Sequence, residues 1–207
     1  MYSPLYYYWK IVNSVRLRIG TKLNYSKFNY YIKIYNISVG KNLILINSCP
    51  DVFCSKNAKI LIGNNVALRS YSHTSWYCNC RIVCRGKGVI KIGNNVGING
   101  SAIICSNTSI TLGDNVHIGG GTRIYDSNFH SLSYLDRRDP SLDCNLAKTA
   151  PVKIEDDVFI GTNVIIGKGI TIGARSVIAA GSVVVKDIPA DCIAGGNPCK
   201  VLKQICN

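Results

Sequence analysis

Between Ile154 and Val184 a large aliphatic residue recurs at every sixth position: Ile154, Ile160, Ile166, Ile172, Ile178 and Val184. That spacing fits neither the 3.6-residue period of an α-helix nor the two-residue alternation of a strand. The following residue is small at Gly161, Gly167, Gly173 and Ala179, and the fifth residue of each hexad is Val158, Val164, Ile170, Ser176, Ser182 and Ile188. A coiled ribbon of very short strands has this requirement: one large side chain per hexad fills the interior, and a small neighbour lets the backbone turn a corner. Three hexads make a triangular turn of about 18 residues, and stacked turns bury a core that no single turn can bury.

Turn starts of the same kind occur earlier, at Ile62-Gly63-Asn64-Asn65-Val66, Ile92-Gly93-Asn94-Asn95-Val96 and Leu112-Gly113-Asp114-Asn115-Val116. A degenerate one stands at Val39-Gly40-Lys41-Asn42-Leu43. The expected organisation is therefore an all-β solenoid over 39–189, preceded by a cap segment 1–38 and followed by a tail 190–207. An insertion is expected around Tyr71 to Arg81. The largest irregularity, 125–151, reads as a protruding loop, and a rigid solenoid carries function on such a loop.

Charge divides the chain. Up to Leu112 there are 14 Lys and Arg against one acid, Asp51; from Gly113 onward there are 10 basic and 10 acidic residues. A basic half argues for an anionic partner, which can be a membrane surface, a nucleic acid or a phosphorylated substrate. The segment 1–39 holds eight tyrosines, Trp9 and six basic residues with no acid. Tyr and Trp beside Lys and Arg suit an anionic membrane interface, and the same segment suits a cap closing the solenoid. No apolar run reaches the length of a membrane span and residues 1–20 carry no signal-peptide pattern, so a cytoplasmic protein is expected. The ten cysteines read as free thiols packed as small hydrophobes. The spacing of Cys78, Cys80 and Cys84 matches no common zinc pattern, and no metal is expected.

There are three histidines. His117 falls at an outward position of the repeat, as a surface or subunit-interface residue, and His73 lies in the early insertion. His130 stands in the long loop, four residues after Asp126, where an imidazole can act as a base near neutral pH and a carboxylate can fix its tautomer. The loop also carries Arg137 and Arg138, which suit either a phosphate on the acceptor or plain solvation.

The hexads, Asp-Ser-Asn-Phe-His at 126–130, Thr-Ala-Pro-Val-Lys-Ile-Glu-Asp-Asp-Val-Phe-Ile-Gly at 149–161, Ala-Ala-Gly-Ser-Val-Val-Val-Lys-Asp-Ile-Pro at 179–189 and Gly-Asn-Pro-Cys-Lys at 196–200 resemble the hexapeptide-repeat acyltransferases. The nearest branch is that of the maltose and galactoside O-acetyltransferases, with relatives from O-antigen, capsule and colanic acid clusters. The resemblance is dense over about 92–205 and thin before it. It implies a left-handed parallel β-helix, a homotrimer with sites between subunits, and acetyl-CoA as acetyl donor. It also implies that His130 is the general base toward an acceptor hydroxyl, with Asp126 orienting it or binding the acceptor. The coenzyme arm would run past Phe159, Gly161, Thr162 and Ala180, and Lys186, Lys200 and Lys203 would meet its phosphates. Phe159 replaces a tryptophan of several relatives, and Val185 replaces a threonine. Asn99 and Arg137 become acceptor contacts.

The function so implied is O-acetylation of a sugar hydroxyl in bacterial surface-polysaccharide assembly, on a free, nucleotide-linked or lipid-linked carbohydrate. N-acetylation of a nucleotide-linked amino sugar needs the same coenzyme and base, and differs only in the acceptor. A γ-class carbonic anhydrase relative also stacks hexads, but needs three histidines converging on zinc. Nucleic-acid binding accounts for the basic half but not for the loop, and is not expected.

Overall fold

The structure is a computed structural model that describes residues 20–70 and 79–205. Its strands fall into three parallel sheets that the chain visits in turn. The first sheet stacks Ile37–Val39, Lys59–Ile62, Val89–Ile92, Ser109–Leu112, Val152–Ile154 and Thr171–Ile172. The third stacks Asp51–Cys54, Arg81–Cys84, Ile103–Ser106, Arg123–Tyr125, Ile165–Ile166 and Val183–Val184. The second lies between them in chain order and ends on an antiparallel hairpin, Cys192–Gly195 with Lys200–Gln204.

The hexad aliphatics become columns down the interior. Ile62, Ile92, Leu112, Ile154 and Ile172 line the first sheet in register, each 5% exposed or less. Leu68, Ile98, Ile118, Ile160 and Ile178 do so on the second sheet, and Ile82, Ile104, Ile124, Ile166 and Val184 on the third. Each such side chain contributes about 1.5–3 kcal/mol of hydrophobic stabilisation, and the sum exists only in the stack.

One corner explains the repeated Asn-Asn and Asp-Asn pairs. Asn42, Asn65, Asn95, Asn115 and Asp157 all sit in the left-handed backbone region, with φ between 56° and 59°. Asn and Asp tolerate this region better than other residues with a Cβ. Their side chains form a ladder along the coil, Asn42 donating to Asn65, Asn65 to Asn95, Asn95 to Asn115 and Asn115 to Asp157, at 2.9–3.0 Å. The sequence separations along it are 23, 30, 20 and 42 residues, so the corner stays aligned while the excursions between turns vary.

Two boundaries differ from the sequence reading. The coil begins at Ile37, whose side chain is buried and which pairs with Ile60. It does not end at 189, because Cys192–Gly195 continues the second sheet beside Val177–Ile178; the hexad register is lost there, but Cys192 and Ala194 still fill the core. Residues 20–34 are helical and lie over the first turn: Phe28 is buried, and the Tyr25 hydroxyl accepts from Leu45 N and donates to Leu43 O. The membrane-binding expectation for the aromatic segment falls mainly on residues 1–19, outside the described residues, as does most of the insertion expected at 71–81. Among the described residues no helix is long and apolar enough to cross a membrane.

Candidate active site

The long excursion leaves the third sheet at Tyr125 and rejoins the first at Val152. Its ends are tied together by a bridge between Ser127 and Thr149 and by Ala150 N donating to Asp126 O at 2.9 Å. Within it the chain forms a 3-10 turn, Asp136–Arg138, and a short α-helix, Pro140–Asn145. The helix starts where Asp139 caps it, accepting from Ser141 N at 2.8 Å, and where Pro140 supplies a fixed φ at a position that needs no N–H donor. Six residues are too few for a helix to hold itself, so its place depends on what its side chains grip.

Asp143 makes that grip. Its Oδ2 lies 2.6 Å from His130 Nδ1, and its Oδ1 accepts from Ser131 N at 2.8 Å. The bond from His130 and the N–H of Ser131 hold the Asp143 carboxyl below the ordinary carboxylate value. An ionised carboxylate only accepts, so the proton of the neutral imidazole must be on Nδ1, and Nε2 carries the free lone pair. The His130 side chain is 65% exposed while that of Asp143 is 12% exposed: a presented imidazole on a mostly buried support.

Further contacts hold the histidine's segment. Phe129, the residue before it, has φ 63°, a left-handed conformation that a bulky residue adopts only when its surroundings impose it. Here Phe129 N donates to Ser127 Oγ at 2.9 Å, and the ring packs edge-on to Tyr125 with centroids 5.4 Å apart. Ser131 Oγ donates to Asp136 Oδ2 at 2.7 Å, and Arg137 Nη1 donates to Ser131 O at 2.7 Å. Arg137 thus spends at least one donor on bracing the loop, and Arg138 lies over the Tyr134 ring, 5.3 Å from its centroid.

His130 lines a groove of about 970 Å³ between this loop and the outer face of the third sheet. Val83, Ile103, Cys105 and Tyr125 lie along it, with Arg81, Arg85 and Asn107 beside them and Cys144 on the loop side.

Asp126, expected as the helper of His130, has other partners. It is fully buried and accepts from Ser106 Oγ at 2.6 Å, Asn107 N at 2.7 Å and Thr108 N at 2.8 Å. A four-residue spacing juxtaposes side chains on a helix, but residues 126–130 are not helical, and Asp126 turns inward to close the turn after Ile103–Ser106. Asp143 takes the orienting role. Its one signal in the sequence was Asp139-Pro140, a helix start that folds Asp143 back onto the loop.

Asn99 sits at a corner, its backbone N donating to Ile118 O, and is not part of the groove. The residues matched to the coenzyme follow the coil away from it. Phe159 is 50% exposed on the second sheet; Gly161 and Ala180 stack at the next corner, with Thr162 beside them. A Cβ on Gly161 would come within 2.6 Å of Ala180 N, so packing alone already demands glycine there. Lys186, Lys200 and Lys203 are exposed at the C-terminal end of the coil, the last two on the terminal hairpin. An apolar ring, a tightly packed corner and cations at one end of the coil are what the structure places at the positions that the resemblance matches to the coenzyme. Among the described residues no three His, Cys, Asp or Glu side chains are placed to hold a metal, and His73 lies outside them. Cys80 and Cys84 are buried, and burial pushes both thiols up to about 12.

A family description, hexapeptide repeat of succinyl-transferase, matches residues 151–186. The chain is 42% identical over 116 residues to YJL218W of Saccharomyces cerevisiae, whose name describes an acetyltransferase, and 36% identical over 116 residues to galactoside O-acetyltransferase of Escherichia coli. Each match takes in 56% of this chain, and it spans 56% and 54% of the relatives' own lengths. The fold extends further: a hexapeptide-repeat acetyltransferase of Vibrio cholerae, solved with acetyl coenzyme A, superposes with a TM-score of 0.59 at 28% identity, over 94% of this chain and 85% of its own.

In its repeat over 151–186 and in its fold, the chain is similar to hexapeptide-repeat acetyltransferases. Its coil is accordingly a left-handed parallel β-helix, against the right-handed preference of ordinary parallel crossovers. The hexapeptide-repeat scaffold accounts for the rigidity behind His130: both ends of the loop are anchored in ladders whose inward residues are buried on every turn.

Proposed function

We propose that this protein is an acetyl-CoA-dependent O-acetyltransferase that acts on a sugar hydroxyl in the assembly of bacterial surface polysaccharide, with His130 as general base. The observation that carries the reading is the 2.6 Å contact from His130 Nδ1 to Asp143, which leaves Nε2 basic at the edge of a groove large enough for a saccharide. The coenzyme supplies the acetyl thioester. His130 takes the proton of the acceptor hydroxyl as the hydroxyl oxygen attacks the thioester carbonyl, while Asp143 holds the ring and stabilises the imidazolium that forms; the carbon–sulfur bond then breaks, and the imidazolium gives its proton to the leaving thiolate. Phe159, Gly161, Thr162 and Ala180 line the path of the pantetheine arm, and Lys186, Lys200 and Lys203 meet the phosphates. The exposed loop side chains Leu132, Tyr134 and Leu135 support a homotrimer in which a neighbouring subunit covers the loop.

Thiol release from acetyl-CoA, measured across free sugars, nucleotide-linked amino sugars and lipid-linked oligosaccharides, tests the proposal with His130→Ala alongside. Release that requires His130 and a hydroxyl acceptor supports it. Release with amino sugars alone moves the activity to N-acetylation, and equal rates in the variant remove His130 from the mechanism.

A further inference from the structure

We infer that the acceptor carries an acidic group, a phosphate or a carboxylate, which Arg85 and Arg81 hold at the groove while Asn107 receives one of its hydroxyls. The inference rests on the acetyl-transfer reading of His130 and narrows its substrate class.

The strand Arg81–Cys84 alternates, with Ile82 and Cys84 fully buried and Arg81 and Val83 on the outer face; Arg85 follows in the same outward phase and is exposed. Four residues of strand span about 13 Å at 3.3 Å each, so the two guanidinium groups start from opposite ends of a floor made by Val83, Ile103, Cys105 and Tyr125. A saccharide lying on this floor with one hydroxyl at His130 has a cation within reach on either side.

These cations are not used up by the protein. Arg81 meets one carboxylate, Asp51, at 3.8 Å with both side chains well exposed, a separation and exposure at which such a pair is weak. Among the described residues no carboxylate ion-pairs with Arg85, and no Asp or Glu lines the groove. Arg85 is near enough to Cys105 that its charge offsets part of the upward push that burial gives that thiol. Arginine presents a planar fork that matches the two oxygens of a carboxylate or phosphate.

The third group is an acceptor atom. Asn107 Oδ1 is enclosed and has no hydrogen-bond partner among the described residues, although the residue's backbone is fixed by Asp126 Oδ1 at 2.7 Å. A buried oxygen in a groove of this size calls for a donor, and a saccharide hydroxyl supplies one. Anion, hydroxyl and reacting hydroxyl are then matched by Arg, Asn and His on one surface.

Calorimetric titration of the full chain with methyl galactoside, galactose 1-phosphate, UDP-galactose and galacturonic acid at low salt tests this directly. At least one acidic probe should bind ten times or more tighter than the neutral glycoside. Arg81→Gln with Arg85→Gln should bring it to the neutral level, with the melting temperature and acetyl-CoA affinity unchanged. Preference for galactose 1-phosphate or UDP-galactose assigns a phosphate, and preference for galacturonic acid assigns a carboxylate. Equal binding of neutral and acidic probes, absence of binding by every acidic probe, or undiminished binding in the double variant overturns the inference. Acidic probes that bind while His130→Ala loses no transfer leave the anion site standing and remove only the base.

Discussion

His130 Nδ1 and Asp143 Oδ2 stand 2.6 Å apart across 13 residues of chain, with Asp143 carried on the helix Pro140–Asn145. A base whose ring can rotate spends part of its time misdirected, and a carboxylate on Nδ1 removes that freedom while favouring the productive tautomer. Asp143→Ala should therefore lower kcat about 10- to 100-fold, a smaller loss than the 10²–10⁴ expected for His130→Ala. Because Asp143 acts through the ring, the double variant should be no slower than His130→Ala alone. Steady-state kinetics of the three variants check this, and losses that multiply would show an independent role for Asp143.

Acid should weaken the fold from several places at once. Asp143 is held down by His130 and Ser131 N, Asp114 by Asn94, Glu155 by Lys153, and Asp191 by Arg175. A carboxyl whose folded value is depressed gives its stability in full above its unfolded value, near 4, and loses it as pH falls through the folded one. Urea midpoints should therefore be flat from about pH 7 to 5 and drop below about pH 4. A midpoint that rises on acidification would contradict these pairings.

The parts legible in the sequence were those set by repetition. Ile154 to Val184 announced the coil because each inward position recurs with fixed phase, and His130 stood out as a histidine in the one long break. Asp143 was not legible: its meeting with His130 depends on how the Asp139-Pro140 start folds a short helix back, and no periodicity encodes that. Asp126 misled because spacing was weighed without the local conformation, which Phe129 at φ 63° makes anything but helical. Arg81 opens a strand whose alternation is readable and Arg85 follows its end, but only the ladder with Ile103 and Tyr125 brings them under the loop. The strand Cys192–Gly195 was missed because Cys and Ala replace the large aliphatic residue as the coil closes.

The asparagine ladder separates backbone strain from hydrogen bonding. Asn95 has φ 56° and joins Asn65 to Asn115 through its side chain. Asn95→Ala loses the exposed bonds and also places a Cβ in the left-handed region, at about 1–2 kcal/mol. Asn95→Gly loses the same bonds without that strain. Alanine should therefore be the more destabilising replacement by about 1 kcal/mol, read from urea unfolding. Equal losses would mean that the bonds, and not the backbone, set the preference.

The two loop aspartates should part company when each is removed. Asp126 is fully buried and satisfies three donors, Ser106 Oγ and the N–H groups of Asn107 and Thr108. In Asp126→Ala those donors lose their partner in the interior, and about 3 kcal/mol of stability should go with them. Asp143 lies in the loop, outside the hydrophobic columns of the coil, so Asp143→Ala should lower the melting temperature less than Asp126→Ala does while lowering kcat. Asp126→Ala also fixes the backbone of Asn107 less firmly, so any loss of activity in it should appear in the acceptor's KM. Melting curves and kinetics on the pair decide the matter: a stable Asp126→Ala with kcat collapsed would return Asp126 to the side of His130.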